Sequence, residues 1–539
     1  MTRIAAMILA ATATVYGKDI TLLWSPNSEA DLAGYKIYRG SFSRQYDTVV
    51  DVGNVTTYTF RGLPEGVHFF AVTAYSRAGL ESDFSNEVFD GPLTLFYPRL
   101  SGYGAAGGSA PEYTGVALAN LDQAAAFLQL TALDRDGTEP RGAGINNPVV
   151  LSSLGAGRQY PFLDYELFGS GLRQRSPVGW ARIESTVRGV SGIFLLFDAA
   201  LSLLDGGSMN ELPLASAVLG EVRGDGFTRV SMINPNPFAA EATLELVAAD
   251  GIPLRSVRRT IAAMGSVVED LSADLFPGIS LSPSSYVRVE APAGLLVSEL
   301  TGRPGSDLEF LYAQDATGGA TRLYAPQYAV GNGWRSTISL VNLEPAPGEV
   351  ALRLIGEDGR ELAARQVPVA ARGKIHVDDP AFFGNLPSGL GAGLVQGYVE
   401  VTCSGARLVG HIVFGDPGGR FSAALPLVAR LRDSVVFGHV ASSRVWYTGL
   451  AVVNPGIEDV ESSLTVYQAD GTPVLSRTLS IPAGRRVSGL LTQFFPLPPD
   501  EERISGYMRL TASRPVAAFA LFGTNEGSVL AAIPAQGPF

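Results

Sequence analysis

Aromatic side chains at recurring positions are the residues in this sequence best suited to contact a ligand. Trp334, Trp446 and Tyr447 lie just before the second predicted strand of a repeated unit. An exposed aromatic ring at the rim of a β-sandwich can stack on a sugar, because it offers a flat apolar surface with a polar edge. The alternative is structural, in which the same rings only mark the entry to a strand.

A second aromatic set recurs in a late strand of each unit. Its members are Trp180, Tyr286, Tyr398 and Tyr507. Each shares its strand parity with a charged residue two positions later, and apolar residues occupy the intervening positions. This pattern predicts that Tyr286, Tyr398 and Tyr507 face outward. They would then form either a solvated face or a repeated contact surface, since aromatic residues and Arg are enriched at binding hot spots.

The sequence lacks the motifs of several common enzyme classes. We find no HExxH, no GxSxG and no phosphate-binding loop of the Walker type. The four histidines are scattered along the chain, at His68, His376, His411 and His439. The single cysteine, Cys403, has no partner for a disulfide and is expected to face a core. We therefore expect no catalytic residue, no metal site and no cofactor.

One short adhesion-like motif occurs, RGD at 223–225. It falls on a predicted loop, where it would suit recognition by an integrin. The other three units lack it, and a three-letter match in a chain rich in Arg and Gly also arises by chance.

A repeat of about 110 residues accounts for most of the chain and positions these side chains. Four asparagines serve as its reference points: Asn120, Asn234, Asn342 and Asn454. Sixteen residues after each of them comes an Asp-Gly pair: Asp136-Gly137, Asp250-Gly251, Asp358-Gly359 and Asp470-Gly471. Apolar residues alternate on both sides of the asparagine, which predicts two half-buried strands. Asp-Gly favours a two-residue hairpin turn, with Gly at positive φ.

The first 90 residues carry a different pattern. Trp24, the strand "DLAGYKIYRG", the phrase "GLPEG" and the closing "SNEV" resemble a bacterial fibronectin type III domain. Phe69 replaces the tyrosine that usually forms the corner of this fold. The resemblance implies a spacer or binding module. The fold class we predict is all-β: a fibronectin type III-like sandwich followed by four tandem homologous β-sandwich repeats, for which we name no family.

The expected domain boundaries follow from these patterns. They are a signal peptide at 1–17, the fibronectin type III-like domain at 18–90, and repeats at 91–209, 210–318, 319–430 and 431–539. The first repeat is divergent and carries an insertion. Arg3 and the apolar stretch at 4–15 are typical of an export signal, and that stretch is shorter than a membrane span. We therefore expect a secreted or cell-surface protein without a membrane span in the mature chain.

Composition narrows the function. The net charge of −12 argues against nucleic acid as a partner, because nucleic acid requires a basic face. We expect a non-catalytic modular protein for adhesion, ligand binding or structural spacing, whose partner is an extracellular protein or a polysaccharide. One alternative is a carbohydrate-binding accessory protein or a degenerate glycoside hydrolase partner. Another is a self-assembling surface fibre or coat subunit, and the sequence leaves the oligomeric state open.

Overall fold

The protein divides into two compact units, one that ends at residue 93 and one that begins at residue 94, with 292–294 counted in the first. The computed structural model describes residues 7–14, 17–24, 26–27, 29–41, 44–64, 68–85, 87–90, 93–100, 112–173, 179–198, 200, 204–378, 381–384, 393–496 and 504–537. None of the helices within these ranges has the length and hydropathy that a membrane crossing needs.

The first unit is a sandwich of two antiparallel sheets. Its strands are β1 (Met7–Thr14), β2 (Gly17–Trp24), β3 (Leu32–Gly40), β4 (Thr48–Gly53), β5 (Thr57–Leu63), β6 (His68–Ser76) and β7 (Val88–Asp90). The sheet orders are β1-β2-β5 and β4-β3-β6-β7. Trp24 and Tyr35 pack edge to face in the core, with ring centroids 5.6 Å apart. The predicted fibronectin type III-like module is confirmed.

Strand β1 lies within the expected signal peptide at 1–17. It pairs antiparallel with β2 along its whole length, from Met7 opposite Trp24 to Thr14 opposite Gly17. The remaining residues of that segment, 1–6 and 15–16, lie outside the described residues. Cleavage before Lys18 stays a prediction, and it would remove the edge strand of this sheet.

Repeats 1 and 2 each form a two-sheet sandwich. Repeat 1 contains β8 (Leu93–Tyr97), β9 (Glu112–Asn120), β10 (Ala126–Leu133), β11 (Val149–Leu154), β12 (Gln159–Leu163), α1 (Asp164–Phe168), α2 (Ser170–Arg173), β13 (Trp180–Ser185), β14 (Val190–Asp198) and β15 (Leu204–Ser208). Repeat 2 contains β16 (Leu214–Leu219), β17 (Phe227–Ile233), β18 (Ala240–Val247), β19 (Pro253–Ile261), β20 (Ser266–Asp270), a π-helical turn (Leu271–Leu275), β21 (Tyr286–Gly302), β22 (Leu308–Tyr312) and β23 (Gln314–Asp315).

Repeats 3 and 4 follow the same plan. Repeat 3 contains β24 (Arg322–Val330), β25 (Arg335–Asn342), β26 (Gly348–Gly356), β27 (Glu361–Val369), β28 (Lys374–Val377), β29 (Val395–Ser404), β30 (Leu408–Gly415) and β31 (Ser422–Pro426). Repeat 4 contains β32 (Arg432–Ser442), β33 (Trp446–Val453), β34 (Val460–Tyr467), β35 (Pro473–Ile481), β36 (Arg486–Leu490), α3 (Leu491–Phe494), β37 (Ile504–Thr524) and β38 (Leu530–Pro534). The predicted series of four homologous sandwiches is confirmed.

Repeat 3 illustrates the common topology. One sheet has the order β24-β29-β26-β27, and the other has the order β28-β25-β30-β31. In repeats 2 and 4 a single long strand, β21 or β37, runs from one sheet into the other. Apolar side chains alternate into the core between the sheets. Among them is Cys403, which is 7% exposed.

Each reference asparagine is buried and fastens the loop that follows its strand. In repeat 4 the Asn454 amide nitrogen donates to the carbonyl oxygens of Glu458 and Ile481, at 2.8 and 2.9 Å. Its side-chain oxygen accepts from the backbone N–H of Gly456. Asn120, Asn234 and Asn342 make the equivalent bonds. These bonds explain why Asn recurs at this position, because its side-chain amide is buried and all of its donors and its acceptor find hydrogen-bond partners.

The Asp-Gly turns have three-residue loops, a correction to the two-residue turn expected from the sequence. In repeat 2 the Gly251 N–H donates to the Ala248 carbonyl, and the Ala248 N–H donates to the Ile252 carbonyl. Only the glycine has a positive φ, between 81° and 87° in all four copies, as in a turn followed by a one-residue bulge. The Asp250 carboxylate instead accepts from the backbone N–H of Ile252.

The four repeats close into a ring. One short strand near the end of each repeat, which we call an axial strand, contacts the axial strands of two other repeats in cyclic order. The four axial strands are β15, β22, β31 and β38. Because β38 of repeat 4 lies against β15 of repeat 1, the series has no free end. The repeats are therefore the four quarters of one compact body, and not beads on a string.

Candidate binding site

The aromatic residues of the late strands lie at the junctions between repeats, which corrects the outward, exposed position expected for them. Tyr286, Tyr398 and Tyr507 are at most 3% exposed, and Trp180 is fully buried. They do point away from the core of their own repeat, as parity predicts. The next repeat covers that face: Tyr398, for example, packs with Val453 and Ala517 of repeat 4. We call these four residues the junction aromatics.

Each junction aromatic donates one hydrogen bond to a backbone carbonyl of the next repeat. The Trp180 indole donates to Met264 at 2.9 Å, and the tyrosine hydroxyls donate at 2.7 to 2.9 Å to Arg372, Gly484 and Gly157. The Tyr507–Gly157 bond joins repeat 4 to repeat 1. The junction aromatics therefore serve as internal fasteners and cannot contact an external ligand.

The Asp-Gly turn of each repeat docks against the loop of the next repeat that carries this carbonyl. A Cβ added to Gly251 would lie 2.0 Å from the Ala371 oxygen of repeat 3, and one added to Gly137 would lie 1.9 Å from the Ala263 oxygen of repeat 2. Backbone bonds cross at this point, from the Lys374 N–H to the Ala249 carbonyl at 2.9 Å and from the Gln159 N–H to the Ala469 carbonyl at 2.8 Å. The glycine thus permits both the turn and the approach of the neighbouring repeat.

A cavity of about 400 Å³ opens at the junction of repeats 4 and 1, and we call it the aromatic pocket. Repeat 1 contributes residues of β9, β12 and β14, and repeat 4 contributes residues of β32, β33 and β37. Five aromatic residues and one histidine line it: Phe162, Phe197, Trp446, Tyr447, Phe522 and His439. Its size lies within the usual range of about 300–1,000 Å³ for small-molecule sites.

The polar groups of the aromatic pocket are few. The His439 ring lies 5.6 Å from the Phe522 ring, and burial lowers its pKa to about 4, so that it is neutral at physiological pH. Burial also raises the pKa of Tyr447. Glu166 is the one carboxylate among the described residues that line the pocket, and it accepts a hydrogen bond from the Leu163 N–H. The pocket therefore suits an apolar or aromatic group, bordered by a few hydrogen-bonding atoms.

The aromatic residues that precede the second strand have different surroundings in different repeats. Trp446 and Tyr447 are half-buried and line the aromatic pocket. Trp334, at the equivalent position of repeat 3, is also half-buried, and its ring packs edge to face on Phe421 with centroids 5.6 Å apart. The structure therefore brings two of these three candidates into one cavity and leaves the third in a packing role.

The place at the junction of repeats 2 and 3 that corresponds to the aromatic pocket is lined by charged side chains. Glu221, which stands thirteen residues before Asn234, as Ala441 does before Asn454, accepts from the His411 ring at 2.7 Å. Arg223 donates to Glu309 at 3.0 Å and to Asp307 at 3.4 Å. The arginine of the RGD motif is consequently only 12% exposed on its side chain. Recognition of an RGD motif by an integrin requires an exposed arginine, and the largely buried side chain of Arg223 does not meet this requirement.

Sequence reasoning did not find Phe162, Phe197 or Phe522 as pocket residues. One available signal was the absence of a side chain five residues before the reference asparagine in the two repeats that form the pocket, at Gly115 and Gly449, where repeats 2 and 3 have Arg229 and Thr337. With no side chain at Gly115, the wall of repeat 1 stays open over Phe197, whose ring carbon would lie 3.5 Å from an added Cβ. Within the described ranges, no group of three His, Cys, Asp or Glu residues could hold a metal ion.

Comparison with known proteins gives similarities among solved structures only. No protein-family model and no curated protein matches the chain. The sixth fibronectin type III domain of human fibronectin type III domain containing protein 3 is 21% identical, with 17% of this chain and 83% of that domain covered and a TM-score of 0.14. A tetra-tandem repeat from the extending region of a large adhesion protein is 13% identical, with 79% of this chain and 99% of that one covered and a TM-score of 0.10.

An enzyme is among the similar structures as well. The α-L-rhamnosidase of Streptomyces avermitilis, solved with L-rhamnose, is 11% identical, with 81% of this chain covered and a TM-score of 0.14. The matched region spans 58% of that enzyme. The function of the present chain therefore has to be inferred from its own geometry.

Proposed function

We propose that this protein is a non-catalytic binding protein, in which the ring of four repeats is a rigid platform and the aromatic pocket holds the ligand. One observation carries the proposal: closure of the ring, repeat 4 on repeat 1, creates a cavity lined by aromatic side chains. The partner we propose is an extracellular protein or polysaccharide that presents an apolar or planar group to Trp446. The ring argues against a role as a spacer, because four repeats arranged in a ring span a shorter distance than four repeats arranged end to end.

The chemistry of the pocket supports a binding role over a catalytic one. A glycosidase of the usual kind needs two carboxyl groups on either side of the scissile bond. The described lining of the aromatic pocket contains Glu166 alone, and its carboxylate is engaged with the Leu163 N–H. His439 lies against Phe522 and has no carboxylate beside it in that lining to orient it as a base.

The sheet edges disfavour the alternative of a self-assembling fibre. Strands β19, β27 and β35 lie at the edges of their sheets, where another chain could pair with them. They carry residues that discourage such pairing, among them Arg258, Pro368 and Arg477. We therefore expect a monomer at all concentrations in light scattering. A mass that grows with concentration would favour the fibre.

Two Trp→Ala variants test the binding role. Trp446→Ala removes a ring from the aromatic pocket, and Trp334→Ala is its matched control, since Trp334 occupies the same position of repeat 3 but packs on Phe421. The probe is 1-anilinonaphthalene-8-sulfonate, whose fluorescence rises in an apolar site, followed by arrays of glycans and matrix proteins. We expect Trp446→Ala to weaken binding about tenfold, as for the loss of one aromatic contact of 1–2 kcal/mol. Equal loss in both variants, with both folded by circular dichroism, would refute the pocket as the site.

The same proposal includes export to the cell surface or the medium. It rests on Arg3 and on the apolar stretch at 4–15. Mass spectrometry of the protein recovered from the medium tests it. We expect a chain that begins at Lys18, and recovery of the intact chain from the cytoplasm alone would contradict export.

A further inference from the structure

A second cavity lies on the axis of the ring, at the carboxyl ends of the axial strands, and we call it the axial pocket. Its volume is about 420 Å³, and all four repeats contribute to its lining. The third and fifth residues of each axial strand line it: Gly206 and Ser208, Phe310 and Tyr312, Ala424 and Pro426, Ala532 and Pro534. A cavity at the opposite ends of these strands holds only about 10 Å³. The axis is therefore open at one end and filled at the other.

The floor of the axial pocket, formed around Phe310 and Tyr312, is apolar, and packing and a hydrogen bond fix its side chains. Phe310 stands at the same strand position as Gly206, Ala424 and Ala532, so that one large ring fills the centre among three small residues. The Tyr312 ring packs edge to face on Phe310 at 4.9 Å, and its hydroxyl donates to the Ser208 carbonyl at 2.7 Å. These contacts fix the shape of the floor before any ligand arrives, which lowers the entropic cost of binding.

Two opposite charges face the cavity from the two sides of the closing junction. Glu211 follows the axial strand of repeat 1, and Arg432 opens repeat 4. Within the described residues, neither forms an ion pair at 4.0 Å or less, with each other or with a third group. Arg432 is half-buried, whereas the side chain of Glu211 is exposed on the pocket lining. Burial and the neighbouring charge of Arg430 lower the pKa of Arg432, and Glu211 partly offsets this effect. They are thus close enough to interact and too far apart to pair.

The Arg432 side of the pocket is formed together with the last described residues of repeat 4. The Arg432 guanidinium lies across Gly537, where an added Cβ would come within 1.9 Å of its nitrogen. Gln536 is fixed beside it, because its side-chain nitrogen donates to the Gly192 carbonyl at 3.0 Å and its oxygen accepts from Ser191. The guanidinium of Arg432 thus lies against the backbone of Gly537 on one side of the pocket. A ligand that carries both charges could bridge the gap without a rearrangement of the pocket.

We propose that the axial pocket binds a small zwitterion with an apolar body, such as a short peptide with both termini free. Its carboxylate would contact Arg432, its ammonium group would contact Glu211, and its side chains would lie on Phe310 and Pro534. A charged hydrogen bond to each terminus contributes more than a neutral one, and a planar guanidinium suits a carboxylate. The site is distinct from the aromatic pocket and exists only when all four repeats are assembled.

Calorimetric titration of the full chain with the dipeptide Leu-Leu tests this inference. N-acetyl-Leu-Leu lacks the ammonium group and Leu-Leu amide lacks the carboxylate, and we expect each to bind about tenfold more weakly, as for the loss of one charged hydrogen bond. Glu211→Gln should abolish the preference over the acetylated peptide and keep the preference over the amide. Arg432→Gln should do the reverse.

A charge-matched control separates local contact from the overall field. Arg430 is exposed, lies two residues from Arg432 and does not line the pocket. Arg430 acts on the guanidinium of Arg432 through its charge but contributes no contact to the pocket. We therefore expect Arg430→Gln to change the affinity for Leu-Leu clearly less than Arg432→Gln does. The proposal fails if Leu-Leu gives no heat and no rise in melting temperature at millimolar concentration. It also fails if the blocked peptides bind as well as Leu-Leu, or if Arg430→Gln weakens binding as much as Arg432→Gln.

Discussion

The Tyr507 hydroxyl donates to the carbonyl oxygen of Gly157 over 2.7 Å, and this bond fastens the last repeat to the first. Tyr398 and Tyr286 make the equivalent bonds to Gly484 and Arg372 at the preceding junctions. Three bonds of one kind thus connect residues as far as 350 positions apart in the chain. The ring is held at each junction by the same few contacts, and each of them can be tested alone.

Removal of the Tyr507 hydroxyl should weaken the closing junction. Tyr507→Phe keeps the ring in place but leaves the Gly157 carbonyl without this donor, and we expect a loss of about 1 kcal/mol in the free energy of unfolding. Chemical denaturation measures it. Tyr160→Phe is the control, since Tyr160 is 38% exposed on β12, and it should change stability by less than about 0.5 kcal/mol. Equal effects of the two substitutions would show that the Tyr507–Gly157 hydrogen bond does not stabilise the junction of repeats 4 and 1.

Gly251 and Gly278 offer a matched pair for the docking of the Asp-Gly turns. Both have a positive φ, of 84° and 79°, but a Cβ on Gly251 would strike the Ala371 oxygen while one on Gly278 would meet nothing within 4 Å. Gly278→Ala should therefore cost only the strain of the backbone, about 1 kcal/mol. Gly251→Ala should cost roughly 3 kcal/mol or more, because the neighbouring repeat must move away. Similar losses in thermal unfolding would show that the turn does not dock as described.

The sequence predicts the sandwiches well because their determinants are side chains at fixed spacing. Asn234 recurs as an asparagine in every repeat, since its short carboxamide supplies both the donors and the acceptor that its loop uses. The parity of Tyr398 was also readable, and so was the core position of Cys403. In each case one strand carries the whole pattern.

Ring closure could not be predicted, because its partners are backbone atoms. The carbonyls that accept from the junction aromatics belong to Met264, Arg372, Gly484 and Gly157. What these residues share is a positive φ, between 51° and 72°, and not a side-chain type. The strand face that carries the junction aromatics lies opposite the core of its own repeat. From sequence alone such a face is predicted to be solvent-exposed, because nothing in the strand indicates that another repeat covers it. For the same reason the aromatic pocket, made by two repeats at opposite ends of the series, has no local signature.

Lys374 should make the stability of the ring depend on pH in the alkaline range. Its ammonium group is buried between repeats 2 and 3, where it donates to the Gly220 and Ser285 carbonyls, and burial lowers its pKa from 10.5 to about 8. The unfolded chain therefore holds the proton above pH 8 while the folded chain releases it, so stability rises with pH in this window.

The contribution of Lys374 to this gain between pH 7.5 and 9.5 is about 2 kcal/mol in the free energy of unfolding, and the raised pKa of the Cys403 thiol opposes part of it. Lys374→Met should flatten the profile over that range. Above pH 10 the junction tyrosines act in the opposite sense, because burial raises the pKa of Tyr286, Tyr398 and Tyr507 to about 12 and the unfolded chain then loses protons first. Equal slopes of the wild type and Lys374→Met between pH 7.5 and 9.5 would contradict the role given to Lys374.

Cys403 should be inert in the folded protein. Its side chain lies in the core of repeat 3, and burial raises the pKa of its thiol, which lowers the reactive thiolate fraction. We expect labelling by a chromogenic disulfide reagent at pH 7.5 to be at least about a hundredfold slower than in denaturant, since reaction then requires local opening. Rapid labelling of the native chain at one equivalent would place Cys403 at the surface.

Deletion of repeat 4 distinguishes a ring from a linear array. In a linear array, each repeat contacts only its neighbours, and loss of a terminal repeat leaves the others folded. In the ring, a chain that ends at residue 430 loses two junctions at once. It exposes Tyr398 of repeat 3, and it also exposes the Gly157 loop and strand β15 of repeat 1. We therefore expect repeat 1, which is distant in sequence, to become sensitive to proteolysis near Gly157 in the truncated protein. Limited digestion followed by mass spectrometry measures this. If repeat 1 stays as resistant as in the full chain while only repeat 3 frays, the repeats act as a linear series and the closing contacts contribute little.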